Sequence, residues 1–93
     1  MKQKQILVHE IEDRGMVTKF LATRWQKNGH DRIYVDVQIR AMKNQRSLGY
    51  IDLSKPNKPF VDDCCDKQYL SYAAIARDIK DTIIEKVLEE VTK

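Results

Sequence analysis

The chain has 93 residues, 42% of them hydrophobic and 33% charged, with a formal net charge of +3. One domain is expected at this length, and the apolar content, with one Trp, four Tyr and two Phe, argues against intrinsic disorder. No apolar run approaches the length of a membrane span or a signal-peptide core, so a cytoplasmic domain without a membrane partner is expected.

The first segment, near residues 4–12, leads into Asp13-Arg14-Gly15, which reads as a type I turn with a bulge. That turn sets Ile6 against Ala22 and Val8 against Phe20. The second segment, 16–26, reads as a strand. A helical alternative exists, because Met16, Val17, Phe20, Leu21, Arg24 and Trp25 also recur at helical spacing before Lys27-Asn28-Gly29. Asn28-Gly29 suits the positive φ angles of a type I′ hairpin and sets Ala22 against Val35, Phe20 against Val37 and Thr18 against Ile39.

The third segment, 32–42, has the cleanest alternation in the chain. Ile33, Val35, Val37, Ile39 and Ala41 interleave with Tyr34, Asp36, Gln38 and Arg40, the pattern of a half-buried strand. A tight loop at Lys43-Asn44-Gln45 then pairs it with a fourth strand, 46–53, with Ser47, Gly49, Ile51 and Leu53 opposite Ala41, Ile39, Val37 and Val35. The connection Ser54-Lys55-Pro56-Asn57-Lys58-Pro59 cannot continue a ladder, since proline removes a donor. Beyond it, Tyr69, Tyr72, Ala73, Ala76, Ile79, Ile83, Val87 and Val91 form the apolar stripe of a long helix over 66–92. Asp62, Asp63 and Asp66 supply negative charge near its start. Ile84 and Leu88 widen the stripe where the helix overhangs the sheet, which suits a partner or a homodimer. The expected fold class is therefore α+β, an antiparallel β-meander packed on one face by a C-terminal helix.

Such a meander leaves its other face uncovered. In the expected register that face carries Leu7, His9 and Ile11, then Val17, Lys19, Leu21, Thr23 and Trp25, then Tyr34, Asp36, Gln38 and Arg40, and finally Leu48, Tyr50 and Asp52. One transverse row reads His9, Lys19, Gln38, Tyr50. Rings supply contact area and cations attract phosphate, so Lys19, Arg24, Trp25, Arg32, Tyr34, Gln38, Arg40 and Tyr50 are the expected nucleic-acid-binding residues. Charge distribution agrees in sign: residues 1–60 hold 12 Lys/Arg against 6 Asp/Glu, and residues 61–93 hold 5 against 8. A basic part packed on an acidic one is also self-complementary. The expected function is a small non-enzymatic module that binds nucleic acid, DNA ahead of RNA. The alternative is a protein-interaction or self-association module using the same face or the end of the helix.

Arg46-Ser47-Leu48-Gly49-Tyr50-Ile51 in the last long strand and Tyr72-Ala73-Ala74 in the helix carry a resemblance to known families. A three-stranded sheet followed by a helix with these residues resembles the DNA-binding domain of plant ethylene-response factors and the arm-binding domain of tyrosine recombinases. The resemblance implies docking of the exposed sheet into a DNA major groove. The proline-containing insertion between Leu53 and Asp66 departs from that pattern.

Catalytic and metal chemistry find little support. Asp36 and Asp52 fall opposite each other in the expected register, which would suit a shared proton or a divalent ion, but no lysine lies two residues beyond either as a hairpin nuclease requires. Cys64, Cys65, His9 and His30 lack the spacing of a structural zinc site, and adjacent cysteines do not suggest a disulfide framework. Gly15, Gly29 and Gly49 are isolated and make no phosphate loop. No cofactor and no metal are expected. His30 reads as a solvated loop residue.

Overall fold

The computed structural model describes residues 5–39, 45–54, 61–62 and 69–91. Strands β1 (Ile6–Asp13), β2 (Met16–Lys27), β3 (His30–Gln38), β4 (Arg46–Asp52) and β5 (Val61–Asp62) form one antiparallel sheet in chain order. Helices α1 (Leu70–Asp78) and α2 (Lys80–Val91) follow, so the fold is the expected α+β meander with a helical cover. Residues 16–26 lie within β2, which overturns the helical alternative. Among the described residues no helix is long and apolar enough to cross a membrane.

Both β-hairpins at the start of the chain turn on two residues with positive φ. Asn28 (φ 52°) and Gly29 (φ 78°) join Lys27 to its partner His30, as expected for a type I′ turn. Arg14 (φ 53°) and Gly15 (φ 79°) join Asp13 to Met16 in the same way, which corrects the expected type I turn with its bulge. The extra residue is accommodated within β1 instead. Ile6 faces Ala22 and Leu7 faces Leu21, but His9, not Val8, faces Phe20.

That bulge reverses the facing of the rest of β1. Val8 is buried, His9 lays its ring 5.4 Å from that of Phe20, and Ile11 packs against the core. His9 and Ile11 therefore leave the outer face to which simple alternation assigned them. A bulge also leaves backbone groups outside the ladder. The Val8 carbonyl accepts a hydrogen bond from Lys86 Nζ of α2 at 3.2 Å, which ties the bulge to the helix.

The β3–β4 pairing differs more. Ile51 faces Ile33, Tyr50 faces Tyr34 and Gly49 faces Val35, so β4 is displaced by four residues from the tight-loop register. Alternation has a period of two, and a displacement by an even number keeps every side chain on its own face; the apolar pattern alone does not distinguish the two registers. The connection runs from Ile39 to Gln45, and the expected turn residues Lys43 and Asn44 lie outside the described residues. A second bulge falls between Gly49 and Ser47, where Ser47 pairs with Asp36. Gly49, at φ 147°, adopts a backbone that disfavours other residues, and Leu48 beside it is fully buried. Leu48 thus belongs to the core and not to the outer face.

The helix breaks only partially. Ile79 (φ −100°, ψ 18°) leaves the helical region, yet its N–H donates to the Ile75 carbonyl at 3.0 Å and its carbonyl accepts from Ile83 N–H at 2.9 Å. The expected single helix is a kinked pair in which α1 lies over β4 and α2 over β1 and β2. Residues 63–68 and 92, also assigned to the expected connection and helix, lie outside the described residues. Tyr69, Ala73, Ala76, Ile83 and Val87 are buried against Phe20, Ile33, Val35, Val37, Leu48 and Ile51. Tyr72, Ile75, Ile79 and Ile84 pack at the margin, and Leu88 remains 40% exposed. Small Ala73 and Ala76 let the helix backbone approach the sheet. The ring of Tyr72 lies 6.1 Å from that of Phe20, at a favourable tilt for aromatic contact.

Candidate nucleic-acid interface

On the face opposite the helices, strand pairing arranges side chains in rows. Trp25, Arg32 and Asp52 make one row, Thr23, Tyr34 and Tyr50 the next, Leu7, Leu21, Asp36 and Ser47 a third, and Glu10, Lys19 and Gln38 a fourth. The expected row of His9, Lys19, Gln38 and Tyr50 is not formed. Bulging turns His9 to the core, and the four-residue displacement brings Tyr50 beside Tyr34.

Four expected site residues come together: Trp25, Arg32, Tyr34 and Tyr50. The Arg32 guanidinium carbon stands 4.5 Å from the centre of the Tyr50 ring, and Arg32 Nη1 donates to the Tyr34 hydroxyl at 3.4 Å. The two tyrosine rings lie 5.6 Å apart at 45°. Arg32 is held above the usual arginine pKa, first by the Tyr34 hydrogen bond, with burial opposing and the Tyr50, Tyr34 and Asp52 charges adding. Its Nε is shielded from solvent and has no hydrogen-bond partner among the described residues. Guanidinium and rings therefore hold each other in place.

Two depressions flank this cluster, and Trp25 with Tyr34 forms the wall between them. The smaller, about 140 Å³, is completed by Lys27, Asn28, His30 and Arg32. The larger, about 420 Å³, is completed by Gln5, Thr23 and Asp36. Gln5 Nε2 donates to Asp36 Oδ2 at 3.5 Å, and the amides of Gln5 and Gln45 pair reciprocally at 2.8 and 3.1 Å. One depression is thus basic and the other is aromatic-walled with a carboxylate.

The remaining expected residues are dispersed. Lys19 is exposed between Glu10 and Gln38, two rows away from Tyr34 and Tyr50. Arg40 lies outside the described residues. Arg24 is on the helix side of the sheet, where it faces Ile33 and grips Asp31 with two hydrogen bonds of 3.0 and 2.8 Å. Its position on that side and its ion pair with Asp31 set it apart from the aromatic cluster. Lys27, His30 and Gln5 were not anticipated at the site. Lys27 shares the parity of Trp25, and the Asn28-Gly29 turn makes His30 its partner, so both were legible from the hairpin; Gln5 was not.

The Arg24–Asp31 pair has a pH signature. The hydrogen bonds from Arg24 chiefly hold the Asp31 carboxyl below its ordinary pKa, while burial opposes them. A depressed carboxylate stabilises the fold above its unfolded pKa, about 3.9, and that contribution is lost as pH falls through the lower folded value. With side chains 13% and 26% exposed, the pair contributes about 1 kcal/mol. Urea midpoints of Asp31→Asn are expected to fall below wild type at about pH 6, and the gap to narrow progressively as pH is lowered below about 4. A gap that stays constant with pH would refute the assignment.

The carboxylate pairing of Asp36 with Asp52 is absent. Asp52 faces Arg32 and accepts a hydrogen bond from Ser54 N–H at 3.0 Å, whereas Asp36 faces Leu21 and Ser47. Among the described residues no three His, Cys, Asp or Glu side chains gather as metal ligands; Cys64 and Cys65 lie outside them. Comparison with known proteins finds no family model, no curated protein and no solved structure that matches this chain.

Proposed function

We propose that this domain is a non-enzymatic nucleic-acid-binding module that holds unpaired bases on the outer face of its sheet. The observation that carries the proposal is the Trp25–Tyr34 wall, which separates a basic depression from a larger aromatic one. Rings beside a cationic groove suit a single strand, because bases stack on aromatic faces while phosphates meet Lys and Arg. The cations that register places on this face among the described residues are Lys19, Lys27 and Arg32. Together with the stacking rings, these three cations suit a single strand, whose bases lie open to the rings. DNA is taken ahead of RNA.

Trp25 is the sole tryptophan, so its emission reports on the site directly. Single-stranded oligonucleotides are expected to change that emission. The salt dependence should be shallow, with a logarithmic slope of about −2 for three phosphate contacts at roughly −0.7 each. Lys27→Ala should reduce the slope by about 0.7. No change in emission with single strands, duplex or RNA at low salt would refute the proposal, and a dimeric mass in solution would then favour self-association.

A further inference from the structure

The smaller depression lies where the β2–β3 hairpin ends. Lys27 pairs with His30 across the Asn28-Gly29 turn, and the next outer-face row holds Trp25 and Arg32, so basic side chains from two adjacent rows line one hollow together with Asn28. No carboxylate lines it among the described residues. Asp52, set opposite Arg32 by the register, accepts from Ser54 N–H and is not part of the lining. Arg32 is oriented in advance: it stacks on Tyr50 and donates from Nη1 to Tyr34, and its Nε is shielded. Of the five N–H groups of a guanidinium, about three are then left for a ligand.

We infer that this hollow captures the terminal phosphate of a single strand, a monoester, and not a phosphate within the chain. The inference rests on the proposed single-strand reading and names the part of the strand that the basic depression holds. Charge is the first argument. A terminal monoester carries about −1.5 to −2 at pH 7 and three strong acceptor oxygens, whereas an internal diester carries about −1 and leaves two oxygens unesterified. Lys27, His30 and Arg32 supply a donor for each of three oxygens, and the fork of Arg32 suits two of them at once.

Size and position give the second argument. At about 140 Å³ the hollow is close to a cavity that holds one benzene ring, so it takes a phosphate with a water or two and not a whole nucleotide. The depression across the Trp25–Tyr34 wall is larger, about 420 Å³, and takes the first base. The turn ends both strands, so β2 and β3 provide no further row on which a polynucleotide could continue past the phosphate. Lys19, two rows beyond Tyr34, is the next cation on this face among the described residues, and it draws the rest of the strand away from the turn.

The test uses the full chain and thymine strands labelled at a central base, so that both ends are free. Four strands are compared at one salt concentration: hydroxyl at both ends, phosphate at the 5′ end, phosphate at the 3′ end, and hydroxyl at both ends with one further nucleotide, which adds charge without a terminal phosphate. Fluorescence anisotropy with wild type should show one phosphorylated strand binding about tenfold tighter than the hydroxyl strand, as a hydrogen-bonded charge warrants, and the lengthened strand within about twofold of it. The end that gains identifies the terminus held. In the Lys27→Ala, His30→Ala double variant the ratio between phosphate-ended and hydroxyl-ended strands should fall below about twofold. Both side chains are exposed, so circular dichroism of the variant should show an unchanged fold. Equal affinity for phosphate and hydroxyl ends, an equal gain from either end or from the lengthened strand, or a preference that survives in the double variant would overturn this inference alone. Failure of every strand to bind wild type would overturn the single-strand reading and this inference with it.

Discussion

Replacing Leu48 by aspartate is expected to abolish cooperative folding. Leu48 is fully buried at the β4 bulge, within the core that α1 and α2 cover. Removing such a leucine side chain costs about 2–5 kcal/mol in lost burial and cavity, and an unpaired carboxylate in its place adds several more. Total stability for a domain of this size is about 5–14 kcal/mol, so the sum leaves little or no folded population. Leu7→Asp is the matched comparison. Leu7 is 43% exposed on the outer face before the first bulge, and the substitution should change stability by about 0.5 kcal/mol or less. Simple alternation along the strands would have made both positions outward and equally tolerant. Thermal unfolding followed by circular dichroism separates the cases: the aspartate at position 48 should remove the transition, and Leu48→Ala should lower it by about 10 °C or more. Equal midpoints for Leu48→Asp and Leu7→Asp would place Leu48 outside the core and dissolve the second bulge.

Loss of the aromatic wall should have the largest effect on binding. Stacking of a base on an aromatic ring is worth about 1–3 kcal/mol, so Trp25→Ala and Tyr34→Ala should each weaken a single-strand complex roughly 5- to 150-fold. Their effects should not add, because the two rings bound the same depressions and removal of either opens both. Tyr34→Ala also removes the hydroxyl that accepts from Arg32, which frees the guanidinium from one of its supports. Arg24→Gln provides the contrast. Arg24 is on the opposite face, so its loss should lower stability and leave affinity within about twofold, whereas a phosphate contact would show reduced affinity and a smaller salt slope. Anisotropy of a labelled strand measures all three without relying on Trp25. A Trp25→Ala variant that binds like wild type would remove the wall from the interface.

Much of this molecule follows from local rules that operate over a few residues. Asn28-Gly29 accepts positive φ at both turn positions, which fixes the β2–β3 pairing from Lys19 to Lys27 and with it the neighbours Trp25 and Arg32. Alternation from Ile33 to Val37 commits Tyr34 to the outer face, and the spacing from Tyr69 to Val87 commits one helical stripe to the core. The meander, its covered face and the central part of the aromatic cluster were therefore contained in residue order.

Tertiary packing decided the offsets. A period of two specifies parity but not which even displacement is adopted, so the place of Tyr50 beside Tyr34 was settled by how Leu48, Ile51 and the helices fill the core. Both bulges are choices of the same kind. At each, two successive residues must be judged against the space above the sheet, and that space is defined by α1 and α2, distant in the chain. Parting Asp36 from Asp52 and turning His9 inward both follow from those offsets. Residue order determined which side of the sheet could be a site; packing under the helices determined which side chains meet there, because only contacts across the whole core distinguish registers that are locally equivalent.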